Sequence, residues 1–152
     1  MVGTPADRGP AAARFAVGAL ALGLSLLAAG CGAGQPGATI ASVLPEHPSP
    51  LVRQGESLYE SDGCSSCHTL DGSPGTGPTF RGLVGSTVRL EGGRTLTADR
   101  AWLVQAITEP GAQTVTGYPP GLMAAGTAAF DLKAHASEVS ALIAFIDAVS
   151  GR

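Results

Sequence analysis

The sequence predicts an all-α domain with long loops, preceded by an export segment and a tether. Three stretches place apolar residues at helical spacing, and Gly and Pro (22 and 11 of 152 residues) make up more than a fifth of the chain. Only 5% of the residues are aromatic. This composition argues against a helical bundle or a long coiled coil and predicts a modest core. A formal charge of −3 is too small, and of the wrong sign, for a nucleic-acid-binding protein.

Residues 1–30 have the composition of a signal peptide. Arg8 and Arg14 lie in a short polar start, and residues 15–30 carry no charge. That apolar run is shorter than the roughly 20 residues that span a bilayer. A basic start, a short apolar stretch and small residues at its end are typical of an export signal. We therefore expect the rest of the chain to lie outside the cytoplasm.

The end of this segment, Leu27-Ala28-Ala29-Gly30-Cys31, resembles the lipobox of bacterial lipoproteins. The resemblance implies that Cys31 is lipidated, becomes the new N-terminus and anchors the chain to the outer face of the cytoplasmic membrane. A retained apolar anchor and simple secretion are the alternatives. Residues 31–50 are rich in Gly, Pro and Ser and predict a flexible tether.

A folded domain over residues 51–149 follows the tether. Ser49 is a good N-cap and Pro50 suits the first helical position. The apolar residues of 51–59 recur at helical spacing, and Gly63 can end the helix.

Two more helices and a hairpin complete the predicted domain. Apolar spacing predicts a second helix over 98–108, capped by Thr97 or Asp99, and a third over 136–149. Weak alternation around a Gly pair predicts a minor β-hairpin over 87–96.

The strongest chemical signal is the run Cys64-Ser65-Ser66-Cys67-His68. C-x-x-C-H is the attachment pattern of c-type haem. The two thiols add to the haem vinyl groups as thioethers, and the His that follows the second Cys lies under the iron as its proximal ligand. Export agrees with this motif, because c-type haem is attached outside the cytoplasm. The sequence therefore predicts one covalently bound haem c.

Three alternative roles for the motif stay open. A zinc site would need four ligands, but only His47 and His135 remain, and neither shows a ligand spacing. A thioredoxin-like redox pair would need a βαβ context, which the pattern lacks. A structural disulfide across C-x-x-C would leave His68 without a role.

The domain as a whole resembles a class I cytochrome c. The resemblance rests on Gly55 and Tyr59 in the first helix, the haem motif, Gly77-Pro78 and Phe145 in the last helix. It implies a small fold in which three main helices and long loops surround one haem, with the first and last helices crossing near Gly55. The chain is most similar to the cytochrome c domain fused to the copper-bearing subunit II of bacterial haem–copper oxidases. That similarity lies in residues 82–90, 96–99 and 117–120.

Met123 is the predicted second axial ligand, opposite His68. It is the one Met after Met1, and it follows an extended segment, residues 117–120. The resemblance puts the distal Met at this place. A Met that fills a gap in the core is the structural alternative, and His47 and His135 are the alternative ligands. Met/His ligation raises the reduction potential relative to His/His ligation.

The remaining predicted contacts lie around the haem. The resemblance implies that the Pro78 carbonyl accepts the Nδ1–H of His68, which would fix the ring and make the ligand more basic. A plain turn is the alternative, because residues 75–78 are rich in turn formers. The other residues expected to line the haem pocket are Phe80, Leu83, Trp102 and Leu103.

These expectations describe an electron carrier and not an enzyme. A haem with both axial positions filled has no open site for substrate, so its available change is one electron at the iron. The resemblance implies a membrane-anchored carrier whose partners are redox proteins of a respiratory complex, toward a terminal oxidase or from a quinol-oxidising complex. A haem c subunit of a periplasmic dehydrogenase is an alternative. A gas sensor or peroxidase-like haem protein is another, and it would need a labile or missing distal ligand.

Overall fold

The computed structural model describes residues 39–151. The expected signal peptide, Cys31 and residues 31–38 of the expected tether lie outside this range. The helices are α1 (Ile40–Val43), α2 (Pro50–Ser61), α3 (Arg100–Thr108), α4 (Leu122–Thr127) and α5 (Ala136–Ser150). The strands are β1 (Thr87–Arg89) and β2 (Thr95–Thr97). Among the described residues, no helix is both long enough and apolar enough to cross a bilayer. The all-α prediction with a minor hairpin is confirmed.

Helices α2 and α5 cross at Gly55, as the resemblance implies. A Cβ atom added there would overlap the carbonyl oxygen of Ala141 and would lie 2.7 Å from the Cβ of Phe145. The absence of a side chain therefore permits the close approach of the two helices. Beside the crossing, the rings of Tyr59 and Phe145 pack with centroids 5.0 Å apart.

The starts of α2 and α3 are fixed by capping side chains. The Ser49 hydroxyl accepts a hydrogen bond from Val52 N–H at 3.3 Å, and Pro50 is the first helical residue. The Asp99 carboxylate accepts one from Trp102 N–H at 2.8 Å. Asp99, and not Thr97, is thus the N-cap of α3, and the helix begins two residues later than the pattern predicts.

The hairpin forms a small layer with its own apolar cluster. Strands β1 and β2 are antiparallel, with Thr87 opposite Thr97 and Val88 opposite Leu96. Val88, Leu90 and Ala98 are buried in this cluster, against which the partly buried Trp102 also packs. The hairpin thereby supports the start of α3.

Helix α5 supplies most of the main core. Its buried apolar residues include Val139, Leu142, Ile143, Phe145, Ile146 and Val149. At its end, the Ser150 hydroxyl accepts from Val84 N–H at 2.8 Å, and the Ser150 carbonyl accepts from Gly82 N–H at 2.8 Å. These bonds fix the loop after residue 80 to the helical core.

Part of the expected tether belongs to the domain. Helix α1 lies within residues 31–50, and Val43 is 7% exposed in the main core, with Ile40 and Leu44 packed against it. These three apolar residues are close enough in the chain to bury one helical turn. The overall Gly, Pro and Ser content of the segment does not reveal this apolar spacing.

Candidate cofactor site

A cavity of about 390 Å³ opens beside the C-x-x-C-H turn. This volume falls within the range typical of cofactor sites, about 300–1,000 Å³. The walls come from the end of α2, from α3, from α4 and from the loops between them. Among the described residues, two carboxyl side chains (Asp62 and Glu109) line it, but no Lys or Arg does. The chain thus forms a mostly uncharged pocket of cofactor size.

Both cysteines of the motif line this cavity. Gly63 has φ +71°, a left-handed conformation that favours glycine, and a 3₁₀ turn over Cys64–Ser66 follows. The N–H groups of Cys67 and His68 both donate to the Cys64 carbonyl, at 3.2 and 3.0 Å. Cys64 and Cys67 are half-buried free thiols, so the disulfide alternative is not what the structure shows. Burial raises the pKa of Cys64 to about 11, which keeps the unmodified thiol protonated at neutral pH.

The ring of His68 is held so that one nitrogen stays free. Its Nδ1 lies 2.7 Å from the Pro78 carbonyl oxygen. Because a carbonyl oxygen can only accept, Nδ1 carries the proton and Nε2 keeps its lone pair. Burial lowers the pKa of His68, against an opposing effect of the Pro78 hydrogen bond, which favours the neutral ring that a metal requires. The contact between the Pro78 carbonyl and His68 Nδ1 that the resemblance implies is thus present in the structure.

Two further contacts fix the His68 ring. The Phe80 ring stacks on it, with centroids 4.7 Å apart and planes inclined by 20°. On Gly77, an added Cβ would lie 2.6 Å from His68 Cε1. The glycine therefore allows the loop backbone to lie against the imidazole.

Met123 lines the same cavity as His68. It is half-buried in α4, which follows Gly121 in a left-handed conformation (φ +78°). His47 and His135 are exposed and lie outside the cavity lining. His135 has its Nδ1 3.1 Å from the Asp131 carbonyl. Of the three candidate distal ligands, Met123 is the one that the fold brings to the pocket.

The structure brings together eight of the nine predicted site residues and corrects the ninth. The eight that line the cavity are Cys64, Cys67, His68, Pro78, Leu83, Trp102, Leu103 and Met123. Phe80 does not line it. Its ring packs against His68 and against Tyr59, with centroids 5.8 Å apart in the latter pair, so it supports the ligand from the protein side. In this loop the side chain is directed into the main core, where Phe80 is 7% exposed.

Sequence reasoning missed a chain of neutral polar groups on the wall. The Trp102 indole N–H donates to the Gln113 side-chain oxygen at 3.2 Å, and the Gln113 amide N–H donates to the Gln105 oxygen at 2.8 Å. Gln105 lies three residues after Trp102, so its place on the same helix face could have been predicted. Gln113 lies in an irregular loop, and no local pattern points to it.

The residues present fit a haem attached through two thioethers. Two thiols, an imidazole with a free Nε2 and a thioether line one apolar cavity. Within residues 39–151, no group of three or more His, Cys, Asp and Glu side chains is arranged to hold a metal ion, so the zinc alternative gains no support. In the same range the sheet has two antiparallel strands, which is not the βαβ context of a thioredoxin-like pair.

Comparison with known proteins agrees with this fit. The family model described as Cytochrome c matches residues 52–150, about two thirds of the chain. The match begins in α2 and ends with α5, and thus includes the cavity. A search of the curated proteins finds no match.

Proposed function

Since the chain belongs to the cytochrome c family, we propose that it is a membrane-anchored monohaem carrier that passes single electrons in a respiratory chain. Family membership implies covalently bound haem c and an electron-transfer role. When bound, the haem supplies reversible one-electron chemistry at its iron. The proposed iron ligands, membrane anchor and redox partners go beyond what family membership implies.

Four side chains are proposed to hold the haem. Cys64 and Cys67 would form the thioethers, and His68 and Met123 would be the ligands of the iron. The observation that carries this proposal is the 2.7 Å contact between His68 Nδ1 and the Pro78 carbonyl, because it leaves Nε2 free in a cavity that the two thiols also line. The pocket walls would have to exclude water and competing ligands from the iron. Trp102 and Leu103 serve that purpose, with the other apolar side chains of the cavity lining.

The surface beside Met123 supports docking to an uncharged partner face. Residues 110–130 contain no charged side chain, and several of them line the cavity. Pro119 and Pro120 are exposed, and Leu122 is 48% exposed. Exposed apolar residues grouped at one site are typical of interaction surfaces. We propose that redox proteins of a terminal oxidase or of a quinol-oxidising complex dock there, with an association rate that depends little on salt.

The anchor and the location are proposed from the N-terminal sequence. Residues 1–30 would act as the export signal, and lipid on Cys31 would hold the mature chain at the outer face of the cytoplasmic membrane. The similarity to the oxidase-fused domain supports a place near a terminal oxidase. Intact-mass measurement of the membrane-bound wild-type chain should show that residues 1–30 are absent and that Cys31 carries lipid, and Cys31→Ala should lack the lipid. A mature wild-type chain without lipid on Cys31 would contradict the lipid anchor.

The ligand set is tested with Met123→Leu, which keeps the side-chain volume and removes the sulfur. The oxidised wild-type holoprotein should show the weak near-infrared sulfur-to-iron band, and Met123→Leu should lose it and have a lower midpoint potential. The control is Leu51→Met, which adds a thioether at a residue that is 44% exposed, and it should leave the band unchanged. Persistence of the band in Met123→Leu would rule Met123 out. Tight carbon monoxide binding by the reduced wild type would instead support a sensor or a peroxidase-like protein.

A further inference from the structure

Tyr59 reaches from helix α2 to the backbone of His68. Its hydroxyl donates a hydrogen bond to the His68 carbonyl oxygen at 2.6 Å, and Tyr59 is only 4% exposed. The hydroxyl is therefore a buried donor on the residue that carries the proposed proximal ligand.

The neighbouring carbonyl groups are bound from a different part of the chain. Gly77 N–H donates to the Cys67 oxygen at 2.9 Å, and Phe80 N–H donates to the Thr69 oxygen at 2.8 Å. The loop over residues 77–80 thus holds the backbone on either side of His68. Among residues 39–151, no backbone N–H donates to the His68 oxygen itself.

The ring and the hydroxyl of Tyr59 have separable roles. The ring packs against Phe145 and Phe80, with centroids at 5.0 and 5.8 Å, whereas only the hydroxyl contacts the His68 carbonyl. Replacing Tyr59 with Phe keeps the packing and leaves a carbonyl oxygen without its donor. The loss of this hydrogen bond should lower the local stability, because the carbonyl oxygen has been removed from water and no longer has a protein donor.

We propose that the Tyr59 hydroxyl is a positioning group for the proximal histidine. It holds the His68 peptide from the helix side while the Pro78 carbonyl holds the ring from the loop side. Together the two hydrogen bonds keep Nδ1–H on Pro78 and leave Nε2 free. The inference rests on the proposed function in one respect, namely that His68 is an axial ligand.

The test measures solvent exchange of the His68 Nδ1 proton by NMR in the reduced, diamagnetic holoprotein. In Tyr59→Phe the exchange should be about tenfold faster than in the wild type, because the loss of a typical hydrogen bond makes an open state about tenfold more populated. The control is Val149→Ala, which removes packing at a fully buried residue of α5 without touching this hydrogen bond. In Val149→Ala, the exchange rate of the His68 Nδ1 proton should rise only by the factor that the measured loss of global stability predicts.

Two results would overturn the positioning role. One is unchanged exchange in Tyr59→Phe. The other is a rise in the exchange rate of Tyr59→Phe that is no larger than its loss of global stability predicts, as is expected for Val149→Ala. Failure of the proposed ligand set is seen separately, in the near-infrared band of the oxidised protein, because that band reads the Met123 ligand and not the hydrogen bond between His68 and Pro78.

Discussion

Replacing Gly55 with Ala should destabilise the domain strongly, although alanine is the better helix former. The new Cβ would lie 2.6 Å from the carbonyl carbon of Ala141, where ordinary van der Waals contact begins at 3.4 Å. The carbonyl oxygen of Ala141 lies closer still, so the backbone of α5 would have to move by more than about 0.8 Å, and a helix backbone cannot swing aside as a flexible side chain can. We place the clash at the upper end of the overpacking range, about 3 kcal/mol or more. The helix-propensity gain offsets about 1 kcal/mol, which leaves a net loss of about 2 kcal/mol or more.

Thermal unfolding of the holoprotein, followed by far-ultraviolet circular dichroism, measures this effect. A net loss of this size should lower the Tm by roughly 8 °C or more. The matched control is Gly111→Ala, where an added Cβ meets nothing within 4 Å and φ is not positive. That variant should stay within about 0.5 kcal/mol of the wild type. If Gly55→Ala unfolds at the same temperature as Gly111→Ala, the close helix crossing is refuted.

Two further predictions concern the proximal ligand and a helix cap. Gly77→Ala places a Cβ 2.6 Å from His68 Cε1, so the imidazole ring has to shift. The midpoint potential of the holoprotein should therefore change. An unchanged potential would mean that the loop does not constrain the ligand. Asp99→Ala removes the acceptor for the Trp102 N–H at 2.8 Å and should cost about 1 kcal/mol in urea unfolding. Asp147→Ala, at an exposed residue in the last turn of α5, should cost less than about 0.5 kcal/mol, and equal losses in the two variants would contradict the capping role.

The long elements could be predicted because their determinants are local. Ser49 and Pro50 mark the start of α2, and the Gly55 and Tyr59 pattern marks the face that meets α5. The haem motif could be predicted for the same reason, since its chemistry lies within five consecutive residues. These features depend on spacing along the chain, which the sequence contains in full.

The features that sequence reasoning missed depend on tertiary packing. Helix α1 is a single turn that is stabilised by burial of Val43, and α4 is a short helix that carries Met123, for which the sequence pattern predicts no helix. Short helices draw their stability from packing more than from propensity, so composition does not reveal them. The direction of Phe80, behind the ligand and not into the pocket, is likewise decided by the loop that carries it.

The central claim is that Cys64 and Cys67 hold one haem covalently, and its most direct test is extraction. Exported wild-type protein should keep its haem after denaturation and treatment with acid acetone, and intact-mass measurement should show one haem per chain. The Cys64→Ser/Cys67→Ser double variant should release any haem that it binds. Haem that leaves the denatured wild-type chain would contradict the account, as would haem that stays attached to the double variant.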